Sequence, residues 1–144
     1  METIQYLYDN TTEDDRKFVS EKLFQYNLDK LQLKDYTKSE NIYIVAKNEA
    51  GERTGGIFAT FFWKDVSFLH LLWVHEKYRG QNIGSQLLHK LETALIEREC
   101  KLLHLDTFDF QAPEFYKKKG YEVFGELKDC PAGHTRYYFC KRFA

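Results

Sequence analysis

Cysteine, proline and long apolar stretches are scarce in this 144-residue chain, and each scarcity argues against a class of protein. The three cysteines, Cys100, Cys130 and Cys140, form no Cys-x-x-Cys pair, which argues against a structural zinc site and against a disulfide framework. The longest nearly apolar run, Phe68–Val74, is far shorter than the roughly 18 residues that a membrane helix needs. The first ten residues carry two acids and no basic flank, so we expect no secretion signal. These features predict a reduced, cytoplasmic protein with no membrane partner.

An excess of basic charge is also absent. The chain has 21 Lys and Arg against 22 Asp and Glu, for a formal net charge of −1. Nucleic-acid-binding proteins usually carry a clear basic excess, so we expect no nucleic-acid partner. Aromatic residues, by contrast, are abundant at 17%, and rings must therefore fill much of the core. The length fits one domain over residues 1–144.

The predicted order of helices and strands is that of a mixed α/β (α+β) protein. Apolar residues recur at spacings of three and four from Ile83 to Leu95 and predict an amphipathic helix to about Arg98. A capping box at Thr12 and Asp15 predicts an earlier helix that ends near Asn27. The strands on either side of the Ile83 helix are expected to pair in parallel. Further predicted strands are Thr3–Tyr8, Asn41–Lys47, Gly55–Trp63, Val66–His75, Leu102–Thr107, Tyr121–Leu127 and His134–Phe143, with short helices at Leu28–Lys38 and Gln111–Lys119.

Two finer expectations concern the strands near the middle of the chain. The Gly55–Gly56 pair is expected to mark the end of a connection, and Lys64–Asp65 is short enough for a hairpin turn. Strict alternation would place Leu69, Leu71 and Trp73 on one face of their strand, opposite His70 and Leu72.

The stretch from Leu72 to Leu88 carries the clearest chemical signal. A buried strand ends, a polar turn follows, and a glycine-containing loop opens directly into the amphipathic helix. Such a loop offers free backbone N–H groups and the positive end of the helix dipole, so residues 79–85 predict a phosphate or pyrophosphate site. The P-loop motif is missing, and no Gly-x-Gly-x-x-Gly follows a first strand–helix unit, which argues against a Rossmann site.

These residues resemble a known family. Arg79-Gly80-Gln81-Asn82-Ile83-Gly84 is similar to the Gln/Arg-x-x-Gly-x-Gly/Ala pyrophosphate loop of the GNAT superfamily of N-acetyltransferases. A second block, from Asp109 to Tyr121, resembles that family's Asn-x-x-Ala-x-x-Leu/Phe-Tyr-x-x-x-Gly-Phe/Tyr motif. Asn82 and Asp109 depart from the pattern, because the family usually has Gly and Asn there. The resemblance implies the GNAT fold, with a mostly antiparallel sheet of about seven strands flanked by about four helices.

The resemblance also implies a reaction, with acetyl-CoA as co-substrate and no metal. Tyr116 would be the general acid that protonates the departing CoA thiolate. The backbone of residues 72–74 would pair with pantetheine, and an N–H near Trp73 or Val74 would hold the oxyanion. The implied cofactor-binding residues are Leu72, Trp73, Val74, Arg79, Gly80, Gln81, Asn82, Ile83, Gly84, Ser85, Asp109, Ala112 and Phe115.

The predicted function is therefore acetyl transfer from acetyl-CoA to a primary amine of a small molecule or peptide, by direct attack in a ternary complex. Transfer of a longer acyl group and a non-catalytic acyl-CoA-binding module are the alternatives. The base that deprotonates the amine stays open among His70, His75, Glu76 and a water relay. The acceptor pocket is expected near Phe24–Lys38 and Asp129–Arg136. A homodimer is expected, through residues 137–139 or the face of Phe58–Trp63.

Overall fold

The computed structural model describes residues 1–33 and 39–144, and the chain divides into two compact units, Met1–Thr37 and Lys38–Ala144. The first unit contains helix α1, Glu13–Leu31. Its capping box is confirmed, because Thr12 Oγ1 accepts from Asp15 N–H at 3.2 Å and Asp15 accepts from Thr12 N–H at 2.8 Å. The helix continues past Asn27 and ends where Gln32 adopts a left-handed conformation.

Two expectations for this unit need correction. The predicted strand Thr3–Tyr8 is wrong, because these residues are exposed and form no regular structure before a turn at residues 8–10. A strand needs a neighbour to receive its backbone hydrogen bonds, and an alternating pattern alone supplies none. The predicted helix Leu28–Lys38 is not separate at its start, since residues 28–31 belong to α1. Its last five residues, 34–38, lie outside the described residues.

The second unit is built on a six-stranded sheet in the order β1-β2-β3-β4-β6-β5. Neighbouring strands are antiparallel except β3 and β4, which confirms the predicted parallel pair around helix α2. The described residues thus hold six strands and three α-helices, slightly fewer than expected. The strands are β1 Glu40–Lys47, β2 Arg53–Phe62, β3 Val66–Val74, β4 Leu102–Phe108, β5 Glu122–Lys128 and β6 Thr135–Arg142, and the helices are α2 Ile83–Glu97 and α3 Pro113–Lys118.

The core lies between α2 and one face of the sheet. Four leucines of α2 are buried, at the spacings of three and four that the sequence shows. Each such burial contributes about 1.5–3 kcal/mol. Phe139 is fully buried in this core, so the expectation that it supplies a dimer contact is wrong. The buried apolar residues that meet here include Ile57, Ala59, Leu69, Leu87, Leu88, Leu91, Leu95, Leu103, Leu105 and Phe139.

A β-bulge interrupts β3 at His70. The pairing register with β2 shifts here, so that His70 has no partner residue on β2. Each residue after His70 therefore places its side chain on the opposite face of the sheet from the one that strict alternation predicts. Leu71 and Trp73 are therefore 53% and 48% exposed, whereas Leu72 packs against the core. The expectation that Leu71 and Trp73 share a face with the buried Leu69 is wrong for this reason.

Strands β3 and β4 separate beyond the bulge. Their parallel ladder runs from Val66↔Leu102 to Leu69↔Leu105 and stops there, although β3 continues to Val74. The two strands thus diverge toward their carboxyl ends and leave one edge of β3 unpaired.

The Gly55–Gly56 pair lies inside β2, so the expectation that it marks a connection is wrong. A Cβ on Gly55 would lie 2.9 Å from the Trp73 carbonyl oxygen and 3.2 Å from Ile83 Cγ2. Gly55 is therefore required because the start of α2 packs directly on the β2 backbone. The hairpin turn at Lys64–Asp65 is confirmed, since β2 ends at Phe62 and β3 begins at Val66.

We predict that Gly55→Ala destabilises the protein by about 1–3 kcal/mol, because the added methyl group overlaps backbone and core atoms. Gly56→Ala is the matched control: its Cβ would meet nothing closer than the Ile44 carbonyl oxygen at 3.4 Å. The control should leave stability unchanged or raise it slightly. Urea denaturation midpoints measure both effects, and equal midpoints for the two variants would contradict the close approach at Gly55.

Candidate active site

A continuous cleft opens where β3 and β4 diverge. Its inner part is a cavity of about 540 Å³, within the usual range for small-molecule sites. A second cavity of about 240 Å³ continues it to the start of α2, sharing Val74, Arg79, Gly84 and Phe115. The inner part is lined by residues 69–74, Arg79, Gly84, Asp106, Thr107, Phe110, Gln111, Ala112, Phe115 and Tyr116, and the second part adds Tyr78, Gly80, Asn82, Ile83 and Ser85.

Most of the residues predicted from the sequence line this cleft, but Gln81 and Asp109 line neither part. The Asp109 carboxylate instead accepts from Thr135 N–H at 2.8 Å and bonds His134 Nδ1 at 2.8 Å. These bonds, that of Thr135 first, lower the pKa of Asp109. Asp109 therefore fastens the turn before β6 to the end of β4. The start of α3 is held differently, through a bond from Ala112 N–H to Thr107 Oγ1 at 3.4 Å.

The start of α2 presents unpaired backbone donors to the cleft. Asn82 precedes the helix in a left-handed conformation, φ 63°, which asparagine tolerates better than most residues. The first backbone bond of the helix runs from Gln86 N–H to the Asn82 carbonyl, so the N–H groups of residues 83–85 have no partner within the helix. The first turn carries no acid. This geometry suits an anion, as the sequence predicts.

Arg79 brings a positive charge to the same end of the cleft. Its Nε donates to the Val74 carbonyl at 3.1 Å, so the side chain is anchored to the end of β3. A neighbouring surface cavity of about 470 Å³ adds two lysines, Lys90 and Lys119, beside Asn82 and Ser85. This end of the cleft is thus cationic as well as rich in N–H donors.

The unpaired edge of β3 supplies further donors. His75 N–H bonds the Thr54 carbonyl of β2, at 2.8 Å. Because donors alternate along an antiparallel strand, Trp73 N–H also faces β2, whereas the N–H groups of Leu72 and Val74 face the cleft. Of the two residues expected to hold an oxyanion, Val74 therefore has the required orientation.

Tyr116 lies on the opposite wall, on α3. Its ring is 5% exposed and packs against the rings of Phe115, Tyr121 and Phe139. Burial raises the pKa of Tyr116 to about 12, so the hydroxyl is neutral near pH 7. Within residues 1–33 and 39–144, the Tyr116 hydroxyl has no hydrogen-bond partner. Every fully buried side-chain oxygen in those residues does have a partner, so the Tyr116 oxygen is not fully buried. The Tyr116 oxygen therefore reaches the surface of the cleft that it lines.

Asp106 is the acid of the inner cavity, and it is not among the site residues predicted from the sequence. Arg136 donates from Nε at 3.0 Å and from Nη2 at 2.8 Å to the same oxygen, Oδ1. The guanidinium lies over the rings of Phe108 and Tyr138, 5.4 Å from each centroid. The sequence does contain an indication of a role for Asp106, because this residue is the single acid within the apolar strand Leu102–Phe108.

The described residues contain neither a metal-binding cluster nor a membrane-spanning helix. No group of three or more His, Cys, Asp or Glu side chains in those residues is placed to hold a metal ion. No helix there has the length and apolar composition that a membrane span requires.

Comparison with known proteins agrees with this geometry. The profile of the Acetyltransferase (GNAT) domain matches residues 39–123. Blasticidin-S acetyltransferase of Streptomyces morookaense is 37% identical over 99 residues, which cover 67% of this chain and 71% of that protein. A crystal structure of an acetyltransferase from Bacillus cereus ATCC 14579 is 38% identical with a TM-score of 0.88, covering 96% of this chain and 98% of the other.

A crystal structure of aminoglycoside 6′-N-acetyltransferase complexed with coenzyme A is also similar, at 19% identity and a TM-score of 0.63 over 94% of each chain. At that identity the likeness shows the fold alone. The domain profile covers more than half of the chain, and both phosphate-loop and α3 motifs fall on one cleft. The chain therefore belongs to the GNAT family of acetyltransferases and is an N-acetyltransferase.

Proposed function

We propose that the protein transfers the acetyl group of acetyl-CoA to a primary amine of a small molecule, by direct attack in a ternary complex. The observation that carries this proposal is the cleft, which joins backbone N–H donors of α2, the free edge of β3 and the Tyr116 hydroxyl. The relative from Streptomyces morookaense is named for blasticidin S, and this name supports a small-molecule acceptor.

Acetyl-CoA would occupy the cleft along its length. Its pyrophosphate would accept from the N–H groups of residues 83–85, with Arg79 supplying charge. Pantetheine would follow the unpaired edge of β3 at Leu72 and Val74, as an added strand does. Lys90 and Lys119 would meet the 3′-phosphate of the nucleotide.

In the transfer step the amine nitrogen attacks the thioester carbonyl carbon, and the carbonyl electron pair moves to oxygen. Val74 N–H faces this position, and removal of such a donor typically costs about 3–4 kcal/mol. The C–S bond then breaks, and the sulfur keeps the electron pair. Tyr116 donates its phenolic proton toward that sulfur.

The high pKa of Tyr116 limits how far this proton moves. Against a thiol of pKa about 8.5, full transfer from a phenol of pKa about 12 is uphill by about 5 kcal/mol. Burial raises the pKa of the CoA thiol in the same cleft as well, which narrows the gap. Tyr116 therefore stabilises the departing thiolate by a hydrogen bond and passes its proton to the sulfur inside the apolar cleft, before the thiol leaves.

The inner end of the cleft offers a hydrogen-bond acceptor, in contrast to the N–H donors and the cation at the proposed phosphate end. Asp106 lines it, and its Oδ2 forms no hydrogen bond with the described residues. An ammonium group entering here meets a carboxylate, whereas the phosphates meet Arg79 and the helix donors. This polarity supports an amine acceptor at the Asp106 end. Release of CoA thiol from acetyl-CoA with a panel of amines tests the proposal, and no release with any amine would refute it.

Gly84→Glu should abolish acetyl-CoA binding in a folded protein. A Cβ at this position would lie 3.6–3.8 Å from atoms of Val74 and Phe115, so the longer side chain would point past them and place a negative charge beside the phosphates. Gly84→Gln is the matched control, with equal bulk and no charge, and should bind more weakly than wild type yet more tightly than Gly84→Glu. Calorimetric titration measures both. Wild-type affinity in the Glu variant would show that the pyrophosphate binds elsewhere.

Asn82→Gly should preserve or tighten acetyl-CoA binding. Glycine adopts the left-handed conformation of Asn82 without strain and removes a side chain that makes no cap hydrogen bond. The same calorimetric titration applies. A large loss of affinity would instead show that the Asn82 side chain contacts the ligand.

Tyr116→Phe should lower kcat by about 10²–10⁴-fold and leave the Kd of acetyl-CoA nearly unchanged, because only the proton donor is removed. Tyr121→Phe is the matched control. Tyr121 is also buried but donates to Glu92 at 3.0 Å and lies outside the cleft, so its loss should affect stability and not kcat. With a Tyr116 pKa of about 12, ionisation of this hydroxyl should not reduce the wild-type rate below about pH 10. Near-normal turnover of Tyr116→Phe would assign Tyr116 to packing alone.

A further inference from the structure

His70 stands at the point where β3 leaves β4, and its ring is held by neighbours on two strands. Its Nε2 lies 2.7 Å from Thr60 Oγ1, and Thr60 in turn donates to Asn41 Oδ1 at 2.9 Å. The ring stacks on Phe58 at 4.8 Å and meets the edge of Phe68 at 5.0 Å. The imidazole thus has one fixed plane and one fixed hydrogen bond.

This arrangement selects one tautomer of the neutral ring. A threonine hydroxyl carries a single proton, and Thr60 uses it on Asn41. The Thr60 oxygen must therefore accept from His70, so the proton of the ring is on Nε2. Nδ1 then carries the free electron pair, and Nδ1 has no hydrogen-bond partner in residues 1–33 and 39–144. A base needs such an available pair.

His70 lies where the proposed reaction needs a proton acceptor. His70 lines the inner cavity. It directly follows the last ladder pair, Leu69↔Leu105, on β3, and Asp106 follows the same pair on β4. Its ring contacts Phe58 and Phe68 on the face of the sheet away from α2, whereas Tyr116 packs toward Phe139 in the core. The cleft between them is where the thioester would lie. A proton acceptor and a proton donor therefore stand on opposite sides of the reacting carbon.

We infer that His70 Nδ1 takes the proton from the attacking amine, and that Thr60 and Asn41 are positioning residues that hold the ring in the productive tautomer. The inference rests on the proposed acetyl transfer. The acceptor enters as an ammonium group, and one of its N–H protons passes to Nδ1 while the electron pair of that bond stays on nitrogen and forms the C–N bond. The C–S bond breaks, the sulfur accepts a proton from Tyr116, and the remaining extra N–H proton of the adduct passes to the tyrosinate. His70 then releases its proton to solvent, so the enzyme is restored.

The charged and titratable groups near His70 are few among the described residues. Strand β4 carries His104 and Asp106, and Arg136 of β6 pairs with Asp106. Tyr43 of β1 stacks on Phe58, and Tyr116 of α3 lies across the cleft. Burial lowers the pKa of His104, more than Asp106 raises it, so His104 is neutral near pH 7. His104 touches Phe62 and Phe68 and does not line the cleft, which makes it the matched control.

His70→Gln should lower kcat by about 10²–10⁴-fold at pH 7 while the Kd of acetyl-CoA stays within about twofold of wild type. The deficit should narrow as pH rises toward the pKa of the acceptor amine, because more amine then arrives unprotonated and needs no base. His104→Gln should keep wild-type kcat. A pH–rate profile of all three proteins with one amine acceptor provides the measurement.

Two variants of Thr60 test the positioning role. Thr60→Val keeps the shape but removes the oxygen, and should lower kcat about fivefold, the usual contribution of one neutral hydrogen bond. Thr60→Ser keeps the hydroxyl and should restore wild-type kcat. Equal activity of the Val and Ser variants would show that the Thr60 hydroxyl does not position His70.

The outcomes separate this inference from the proposed function. If wild-type protein transfers acetyl to no amine, the proposed function fails. If wild type is active and His70→Gln keeps kcat within about threefold at pH 7, His70 is not the base. A His70→Gln deficit that stays constant from about pH 6 to about pH 10 would show a structural role and would overturn the inference equally.

Discussion

The parallel ladder between β3 and β4 stops at Leu69↔Leu105, and every feature of the site depends on that end. Beyond it β3 keeps its partner on one side only, so the N–H groups of Leu72 and Val74 point into a cleft. The bulge at His70 lies at the same place and inverts the side chains that follow. The proposed donors for the cofactor and the proposed base therefore both arise from one break in pairing.

The cleft is electrostatically directional. Arg79 and the free N–H groups of α2 lie at one end, and Asp106 lies at the other. In the proposed reaction the phosphates would bind at the Arg79 end and the ammonium group at the Asp106 end, with the thioester between them. Tyr116 lines the cleft from α3 and His70 lines it from the bulge of β3. The charge distribution and the strand geometry both support this proposed orientation of the two substrates.

The sequence predicts helix α2 and the loop before it, but it does not predict the bulge at His70, for physical reasons. Helix α2 and its loop carry local signals, the spacing of leucines and the left-handed-tolerant Asn82, that act within a few residues. The bulge adds one residue, His70, to a strand that is apolar both before and after this residue. The alternation of polar and apolar residues therefore does not reveal the bulge. The requirement for glycine at position 55 is not visible in the local sequence, because it arises from α2, which packs on Gly55 from a distant part of the chain. The role of Asp109 likewise depends on Thr135, 26 residues away.

The bond from Arg79 to Val74 has a consequence for how the protein behaves toward other chains. An unpaired strand edge in a sheet is a template on which another β-strand can add, and this is a common route to aggregation. Along the open edge of β3, Arg79 Nε already occupies the Val74 carbonyl. An incoming strand needs both donors and acceptors, and at Val74 it would find a free N–H group but a carbonyl that is already bonded. This bond therefore shortens the stretch of the β3 edge on which another strand could add.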